Sequence, residues 1–277
     1  MTRRKRKEPN TLIVVSDTHC GCRLGLCPPA VPLDDGGVYT QSPLQAKLWH
    51  IWLEAWERWV PQITHGEPYI VVMNGDAVDG KHHDSVTQIS QNLEDQARIA
   101  EACLRPVLKG RPYYHVRGTE AHVGKSAQNE EALARSLGAI PNDAGQYARW
   151  ELFKNLGRHI IHFQHHIGTT GSSAYESTAV HKETVEMYVE SGRWGDDSPA
   201  VLVRSHRHRC IEVRVPSRHG WSSCIVTPAW QLKTPFAHKI PGARVSQPQI
   251  GLVAVRLGDE ELHTRAFVKR IERPRAE

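Results

Sequence analysis

Five apolar stretches of the sequence each run into a short group of acidic and histidine residues. The first is LIVVSDTHCG, in which the apolar residues Leu12 to Val15 lead directly into Asp17 and His19. The other four stretches lead into polar groups at 74–76, 118–122, 165–166 and 206–208. One such group has an ordinary explanation as a helix cap, a turn or a packed histidine. Five of them in one chain indicate a shared site.

The chemistry that suits these side chains is that of a divalent cation. Carboxylates and imidazoles that were packed together without one would cost roughly several kcal/mol. A mixture of oxygen and nitrogen donors suits Mn²⁺, Fe or Zn²⁺ better than Mg²⁺ or Ca²⁺, which prefer oxygen alone. The set holds roughly seven or eight donors, enough for two ions about 3.5–4 Å apart. Such a pair activates water and holds the attacking and leaving oxygens of a displacement at phosphorus.

The elements that must position these groups alternate between strand and helix in the first half of the chain. Apolar runs before Asp17, Asn74 and Arg117 predict strands, and the segments between them predict helices at 43–60 and roughly 85–108. This alternation predicts right-handed crossovers and a parallel sheet, whose ligands bind beyond the carboxyl ends of the strands. The later chain has a predicted hairpin at 147–168 and alternates in a β manner from Ile211 to Val268, and these later hairpins predict a second sheet packed on the first. With no repeat and no linker, residues 11–277 are expected to form a single domain.

The helix predicted at 43–60 is rich in tryptophan. Trp49, Trp52, Trp56 and Trp59 recur at intervals of three and four residues and therefore lie on one stripe of the helix. A stripe of this kind is usually part of the core. The alternative is a surface through which two copies of the chain form a homodimer.

Composition places the chain among soluble globular proteins, with 39% hydrophobic and 23% charged residues. No apolar run approaches the roughly 18 residues of a membrane-spanning helix, and no signal peptide follows the basic start, so we expect no membrane partner and a cytoplasmic location. Five basic residues and one acidic residue in positions 1–10 account for +4 of the net charge of +5. These ten residues are expected to form a disordered basic arm, which either contacts nucleic-acid phosphates or is a solvated terminus.

The order of the five polar groups resembles that of the calcineurin-like metallophosphoesterase family. The matching motifs are D-x-H at Asp17 and His19, G-D at Gly75 and Asp76, an acid and histidine segment at 118–122, a strand-end histidine at 165, and H-x-H at His206 and His208. They lie between residues 12 and 208. The resemblance implies an α/β fold, a four-layer α/β/β/α sandwich in which two mixed sheets are flanked by helices, with a dinuclear metal centre.

By position, the resemblance also assigns metal ligands. Asp17, His19 and His208 would hold one ion, His165 and His206 the other, and Asp76 would bridge the two and serve the catalytic step. His165 is favoured over His166, because a strand that ends at Gln164 directs the first of the two histidines to the metal.

The sequence departs from the family pattern in two places. Where the family has G-N-H-[DE], this chain has GTEAH at 118–122. Thr119 is a poor ligand, so we expect Glu120 to replace the missing Asn as a metal ligand and His122 to replace the missing His as the general acid. The alternative is that Glu120 caps the following turn and His122 is solvated. Ser205 stands where the family has Gly, which requires that the backbone there avoid positive φ.

The resemblance implies a phosphoesterase that uses two divalent ions, with Mn²⁺ in first place and Fe or Zn²⁺ as alternatives. A metal-bridging hydroxide would attack phosphorus, and His122 would protonate the leaving oxygen. The basic arm and the resemblance to nucleases slightly favour phosphodiesters, including nucleic acid and nucleotides, over phosphomonoesters, which are the alternative substrates. Arg117 and His83 are candidates for binding the substrate phosphate. A third possibility is a non-catalytic protein-interaction module on the same fold.

Overall fold

The computed structural model describes residues 8–82, 84–168, 173–218, 220–240 and 243–271. Most of the predicted basic arm, residues 1–7, and the candidate phosphate ligand His83 lie outside these ranges. In chain order the described strands are β1 (Thr11–Val15), β2 (Ala30–Pro32), β3 (Val38–Thr40), β4 (Ile70–Asn74), β5 (Tyr113–Val116), β6 (Ala148–Arg149), β7 (Glu151–Leu156), β8 (His159–Gln164), β9 (Val201–Arg204), β10 (Ile211–Ser217), β11 (Gly220–Val226), β12 (Gln249–Leu257) and β13 (Leu262–Arg270).

The helices fall mainly between the parallel strands. They are α1 (Pro43–Glu54), α2 (Val60–Thr64), α3 (Leu93–Leu108), α4 (Glu120–Val123), α5 (Gln128–Ser136) and α6 (Glu176–Trp194). A π-helical turn, Ala55–Trp59, joins α1 to α2, and short 3-10 turns occur at Ser173–Tyr175 and Ala243–Val245. None of the helices in the described ranges has the length and apolar character to cross a bilayer.

Two mixed sheets form the centre of the fold. The first has the order β13-β12-β1-β4-β5-β6, in which β1, β4, β5 and β6 run parallel and β12 and β13 are antiparallel additions. The second has the order β10-β11-β9-β8-β7, with β8, β9 and β11 parallel to one another. The strands β2 and β3 form a separate small hairpin. The first sheet therefore contains the predicted crossovers, and the second contains the hairpins β7–β8 and β10–β11. The last hairpin, β12–β13, joins the first sheet beside β1 and not the second, as the later hairpins had been expected to.

The alternation of side chains along the strands determines the order of the layers. Leu12 of β1 faces the second sheet and shares a core with Phe163 of β8. The next residue, Ile13, faces the opposite way and shares a core with Ile99 of α3 and with residues of α1 and α5. The outer face of the second sheet packs on α6 through a third, smaller core. The predicted four-layer α/β/β/α sandwich is confirmed.

The tryptophan stripe belongs to the core beneath the first sheet. Trp52 and Trp56 are buried, and the ring of Trp52 contacts those of Trp56 and Trp230 at centroid distances of 5.4 and 4.8 Å. The helical segment also continues past its predicted end, through the π turn and on to Thr64. A homodimer through this segment stays a prediction, and it would have to use side chains other than Trp52 and Trp56.

The second predicted helix is shorter than expected at its start. It was predicted from about residue 85, but α3 begins at Leu93, where the side chain of Asn92 accepts the N–H of Glu94 as a cap. The preceding residues form a loop that is tied to the loop after β1, because Arg23 N–H donates to Thr87 O at 2.8 Å. This loop carries side chains that support the site described below.

Candidate metal centre

The predicted site residues follow directly on the carboxyl ends of β1, β4, β8 and β9. Several of them have backbone conformations in the left-handed region, with φ of 51° at Asp17, 41° at His19, 54° at Asp76, 70° at His206 and 54° at His208. A residue other than glycine in this region costs on the order of 1–3 kcal/mol, so such residues persist where the surrounding structure holds them. The strand ends are thus turned sharply at the point where the polar side chains emerge.

Gly75 has a steric reason to be glycine. Its φ is +88°, and a Cβ atom built on it would lie 2.3 Å from Nδ1 of His165 and 2.8 Å from Cα of Gly118. The absence of a side chain lets the loop after β4 approach both neighbours. The G-D motif therefore brings Asp76 against His165.

The first group of donors contains Asp17, His19 and His208. Nε2 of His19 and Nε2 of His208 lie 3.1 Å apart, and Nε2 of His208 lies 3.3 Å from Oδ1 of Asp17. Both carboxylate oxygens of Asp17 are buried and accept no hydrogen bond from any described residue. A buried carboxylate without donors, facing two imidazole nitrogens, fits a divalent cation.

The second group contains Asp76, His165 and His206. Nε2 of His165 lies 3.1 Å from Oδ2 of Asp76, and its Nδ1 donates to the carbonyl oxygen of Asn74 at 2.6 Å. That hydrogen bond fixes the ring so that Nε2 faces the carboxylate. The two groups are adjacent, because the same Nε2 is 3.8 Å from Oδ1 of Asp17. Oxygen and imidazole nitrogen donors are again the set that suits Mn²⁺, Fe or Zn²⁺.

The charges of the two groups depend on one another. Burial acts to raise the pKa of Asp17, but His208 and His165 outweigh it and lower the pKa to about 2. Burial likewise opposes charge on His165, yet the carboxylates of Asp76 and Asp17 raise its pKa to about 10. Both carboxylates are therefore ionised at neutral pH and draw positive charge into a buried space.

Asp79, three residues after Asp76, supports the first group from outside. Its Oδ1 lies 3.3 Å from Nδ1 of His19, which leaves Nε2 of His19 to face His208. Gln88 and Gln231 donate to its two oxygens at 3.0 and 3.3 Å. Burial acts to raise the pKa of Asp79, but hydrogen bonds from His19 and His82 lower it below its ordinary range. A carboxylate behind a metal-binding histidine sets its tautomer and orientation.

The GTEAH segment does not supply a ligand in the way that we predicted. Glu120 is the first residue of α4, its side chain is exposed, and it belongs to none of the four donor groups found among the described residues. Thr119 is the residue that reaches the site: its N–H and hydroxyl donate to Oδ1 of Asp76 at 2.7 and 3.3 Å. The chain at this position therefore orients the shared carboxylate through Thr119, and Glu120 is an exposed residue at the start of a helical turn.

His122 lies in the site and is not solvated. Its Nδ1 donates to the carbonyl oxygen of Asp79 at 2.6 Å, which leaves Nε2 3.9 Å from Oδ2 of Asp76. Its ring contacts those of His19 and His82, each at a centroid distance of 4.4 Å. Burial lowers the pKa of His122 to about 4, so at neutral pH the ring is neutral and Nε2 carries a lone pair. This atom can hold a proton briefly or coordinate a cation.

A buried network that we did not predict joins the loops after β4 and β5. Glu130 on α5 accepts the N–H of Ala77 at 3.2 Å through one oxygen and the N–H of Gly118 at 2.7 Å through the other. Nε2 of His115 lies 3.1 Å from the first oxygen, and its Nδ1 is 2.6 Å from the hydroxyl of Tyr113. The fully buried Glu130 thus fixes the two loops on either side of Asp76. Its place in a helix, eight residues after the GTEAH motif, gave no signal in the sequence.

The remaining predicted residues lie outside the two groups. Arg117 is tied to the edge of the first sheet, where its Nε donates to Ala148 O at 2.7 Å and its guanidinium lies 5.0 Å from the ring centre of Trp150. It does not line the cleft over the site, so the prediction of a phosphate-binding role is not supported. His166 is exposed next to His206, whereas His165 is buried in the second group. Ser205 has no positive φ, as we expected.

No family model matches the sequence, and no curated protein matches it. Among solved structures, the chain is similar to a conserved uncharacterized protein, a predicted phosphoesterase, from Streptococcus pneumoniae TIGR4, at 13% identity and a TM-score of 0.35 over 95% of this chain and 99% of that one. It is also similar to Vacuolar Protein Sorting 29 from Cryptosporidium parvum, at 12% identity and a TM-score of 0.38 over 96% and 100% of the two chains. A metallophosphoesterase from Sphaerobacter thermophilus has 13% identity and a TM-score of 0.40 over 95% and 88%.

At these identities and TM-scores, the similarities add no argument of their own. The layer order, the two mixed sheets and the five strand-end motifs stand on the sequence and the described topology. Together they establish the α/β/β/α sandwich that the resemblance to the calcineurin-like metallophosphoesterases implied.

Proposed function

We propose that this chain is a metal-dependent phosphoesterase that uses two divalent ions. The observation that carries the proposal is the buried carboxylate of Asp17, whose oxygens accept no hydrogen bond from a described residue, at the junction of two donor groups. Asp17, His19 and His208 would hold one ion and Asp76, His165 and His206 the other. Asp76 also groups with His19, which fits a carboxylate shared between them. When bound, such ions supply an activated water and stabilise charge on the phosphoryl oxygens.

The protein's own contribution is to orient these donors and to move a proton. Asp79 sets the ring of His19, the carbonyl of Asn74 sets the ring of His165, and Thr119 holds Asp76. We place Nε2 of His122 at the leaving-group oxygen, to which it would pass a proton that its lone pair takes from the attacking water. This residue lines the cleft beside Asp76 and lies in neither of the two groups assigned to the ions. The competing role for His122 is that of a ligand together with His19 and Asp76.

The choice of metal and of ester class follows from the donor types and from the sequence. We favour Mn²⁺ because the donors mix carboxylate and imidazole, with Fe or Zn²⁺ as alternatives. We favour phosphodiesters over phosphomonoesters, and the support is the basic residues at 3–7 of the sequence. A cytoplasmic location also stays a prediction. The rival function, a non-catalytic interaction module, has to explain why every residue of both donor groups is present.

The experiment that tests the proposal starts from protein stripped with a chelator. Bound metal is counted by mass spectrometry after addition of Mn²⁺, Zn²⁺, Fe²⁺ or Mg²⁺, and hydrolysis of bis(nitrophenyl) phosphate and nitrophenyl phosphate is measured in parallel. We expect about two ions per chain and restored hydrolysis with Mn²⁺. Protein that binds none of these metals and hydrolyses neither ester would instead support the interaction module.

The role of His122 is tested by His122→Ala on two kinds of ester. If Nε2 serves the leaving oxygen, the variant loses activity on alkyl esters, whose leaving group needs a proton, far more than on nitrophenyl esters, whose leaving group does not. Metal content stays at the wild-type level in that case. Loss of one ion, with equal loss on both esters, would assign His122 as a ligand. His50→Ala, on the exposed side of α1, is the matched control.

A further inference from the structure

The cleft over the donor groups has a second wall of different composition. The cavity has a volume of about 270 Å³, and one side of it is formed by His19, Asp76, His122 and His208. A second part of the lining, called the apolar wall below, comes from a single segment, 231–248, of which 241 and 242 lie outside the described ranges. The apolar residues of this wall are Leu232, Phe236, Ala237, Ile240, Ala243 and Pro248. The cavity is thus lined by polar side chains from the strand ends and by largely apolar side chains from this segment.

Two large side chains of the apolar wall are exposed to solvent. Phe236 is 50% exposed and Ile240 is 37% exposed. Apolar surface that remains exposed inside a concave site is a common feature of ligand-binding pockets. The exposure is therefore best explained by an apolar group that covers this surface when the cleft is filled.

The position of the apolar wall is fixed relative to the donor groups. Trp230 N–H donates to the carbonyl oxygen of Asp17 at 2.9 Å, Gln231 donates to Asp79, and Leu232 N–H donates to the carbonyl oxygen of Leu24 at 2.8 Å. Trp230 and the first two residues of the segment thus attach it to the loop after β1 and to Asp79, which supports His19. A molecule whose phosphate lies at the donor groups would place its organic part against Phe236 and Ile240.

The charges along the cleft argue against a long polyanion. Among the described residues that line it, the cationic side chains are those of Arg207 and Lys233. The ammonium of Lys233 donates to the carbonyl oxygens of Arg244 and Ser246 in its own segment. Nucleic-acid strands are held by rows of lysine and arginine on successive phosphates, and this wall offers no such row.

We propose that the apolar wall binds the organic group of the phosphate ester and selects substrates in which that group is a single aromatic ring system. The inference rests on the proposed phosphoesterase function and names the substrate class of the same site. The volume of about 270 Å³ is near the lower limit of about 300–1,000 Å³ for small-molecule sites, so it fits one ring system and not a polymer.

The test uses two phosphodiesters with the same leaving group, phenyl nitrophenyl phosphate and methyl nitrophenyl phosphate. Because nitrophenolate departs from both, the ratio of their kcat/KM values, corrected for their uncatalysed rates, reports on the second organic group. We expect the Mn²⁺-loaded enzyme to prefer the phenyl ester by at least about tenfold. Phe236→Ala should reduce this ratio to about one. Ile240→Ala serves as a second variant if Phe236→Ala does not fold.

Val245→Ala is the matched control, since Val245 is an exposed apolar residue of the same segment that does not line the cleft. It should leave both kcat/KM values unchanged. A wild-type enzyme that hydrolyses both esters without preference, or a ratio that both Phe236→Ala and Ile240→Ala leave intact, would overturn the inference and leave the phosphoesterase proposal standing. A kcat/KM for single-stranded DNA above that for the phenyl ester would also overturn it. Metal-loaded protein that hydrolyses neither ester would instead count against the phosphoesterase function itself.

Discussion

The two walls of the cleft are built in different ways. The donor wall consists of short turns at the ends of four strands, and its carboxylates Asp17, Asp76 and Asp79 are almost completely buried. The apolar wall is one surface segment, 231–248, with Phe236 and Ile240 partly open to solvent. Side chains at strand ends have fixed positions because neighbouring strands hold the backbone, whereas a surface segment tolerates the replacement of its residues. On the two proposals above, the strand ends would carry the chemistry and the surface segment would carry the selectivity.

The difference also appears in the backbone. Five residues of the donor wall have positive φ without being glycine, and Gly75 leaves no space for a side chain. In the described part of the apolar wall no residue has positive φ. Changes in the donor wall should accordingly have large effects on metal binding and activity, and changes in the apolar wall should alter substrate preference alone.

The largest effect is expected from Asp76→Asn. Asp76 belongs to a group with His165 and His206 and to another with His19 and His122, so its carboxylate serves both sides of the centre. We expect weaker binding of both ions and a loss of activity of more than about a hundredfold. This is more than the loss that usually follows removal of a residue that only holds a metal ligand in place. Metal titration and kcat/KM for a nitrophenyl diester measure this. Retention of two tightly bound ions would contradict the shared role, and Asp196→Asn, on the surface, is the control.

A smaller effect is expected from Glu130→Gln, behind the donor wall. An amide has one acceptor oxygen, so it cannot accept the N–H groups of both Ala77 and Gly118. We expect metal affinity to fall by about 10–100-fold. Glu131→Gln is the matched control, because Glu131 also accepts two backbone N–H groups, those of Tyr147 and Ala148, away from the site. Equal metal affinities of the two variants would show that Glu130 acts only on stability.

A pH effect is expected from His162, which lies on β8 behind the donor wall. Burial, and then the charge of Arg204, lower the pKa of His162 to about 3, from an ordinary value of 6.5. Between these values the unfolded chain takes up a proton that the folded ring does not, so the free energy of unfolding falls as the pH falls below about 6.5. The contribution is fully present above that pH and is lost progressively toward about pH 3.

The measurement compares urea unfolding of the wild type and of His162→Gln between pH 7 and pH 5. The wild type should lose up to about 1.4 kcal/mol per pH unit more than the variant. In the folded protein Arg204 lies 3.2 Å from Nδ1 of His162 and Glu151 lies 3.3 Å from Nε2, which fits a neutral ring. Parallel pH profiles for the two proteins would show that this histidine does not resist protonation.

The smallest effect is expected from Glu120→Ala. Because its side chain is exposed at the start of α4, we expect metal stoichiometry to be unchanged and kcat/KM to change by less than about twofold. Thr119→Val, which removes a hydroxyl that donates to Asp76, is the informative neighbour and should weaken metal binding more. Loss of one ion in Glu120→Ala would restore our original prediction of a ligand role.

The donor wall could be predicted from the sequence, and the apolar wall could not. Apolar runs that end in Asp17, Asp76, His165 and His206 mark strand ends, and parallel strands bring their carboxyl ends to one edge. The roles of Thr119 and Glu120 depend on where a helical turn begins. Thr119 is the residue before α4 and contacts Asp76, whereas Glu120 is the first residue of α4 and is exposed. Glu130 acts across the fold from a helix of ordinary polar composition, and no local periodicity marks it.

The segment 231–248 gave no signal for a related reason. Leu232, Phe236 and Ile240 recur at intervals of four residues, but Pro235 and Pro241 interrupt this helical spacing, so the sequence alone does not indicate that they face a common cavity. Their placement follows from the hydrogen bonds of Trp230, Gln231 and Leu232 to distant loops. Contacts of this kind are set by tertiary structure and not by local preference.

The attachment of Trp230 to the carbonyl of Asp17 has a thermodynamic consequence. Trp230 donates to the backbone of Asp17, a proposed metal ligand, and directly precedes the segment that would receive the organic group. If loading the ions moves that backbone, the affinity for the organic group changes by some factor, and occupancy by the organic group must change the affinity for the ions by the same factor. An inhibitor that fills only the apolar side would then change the affinity for the ions without contacting them.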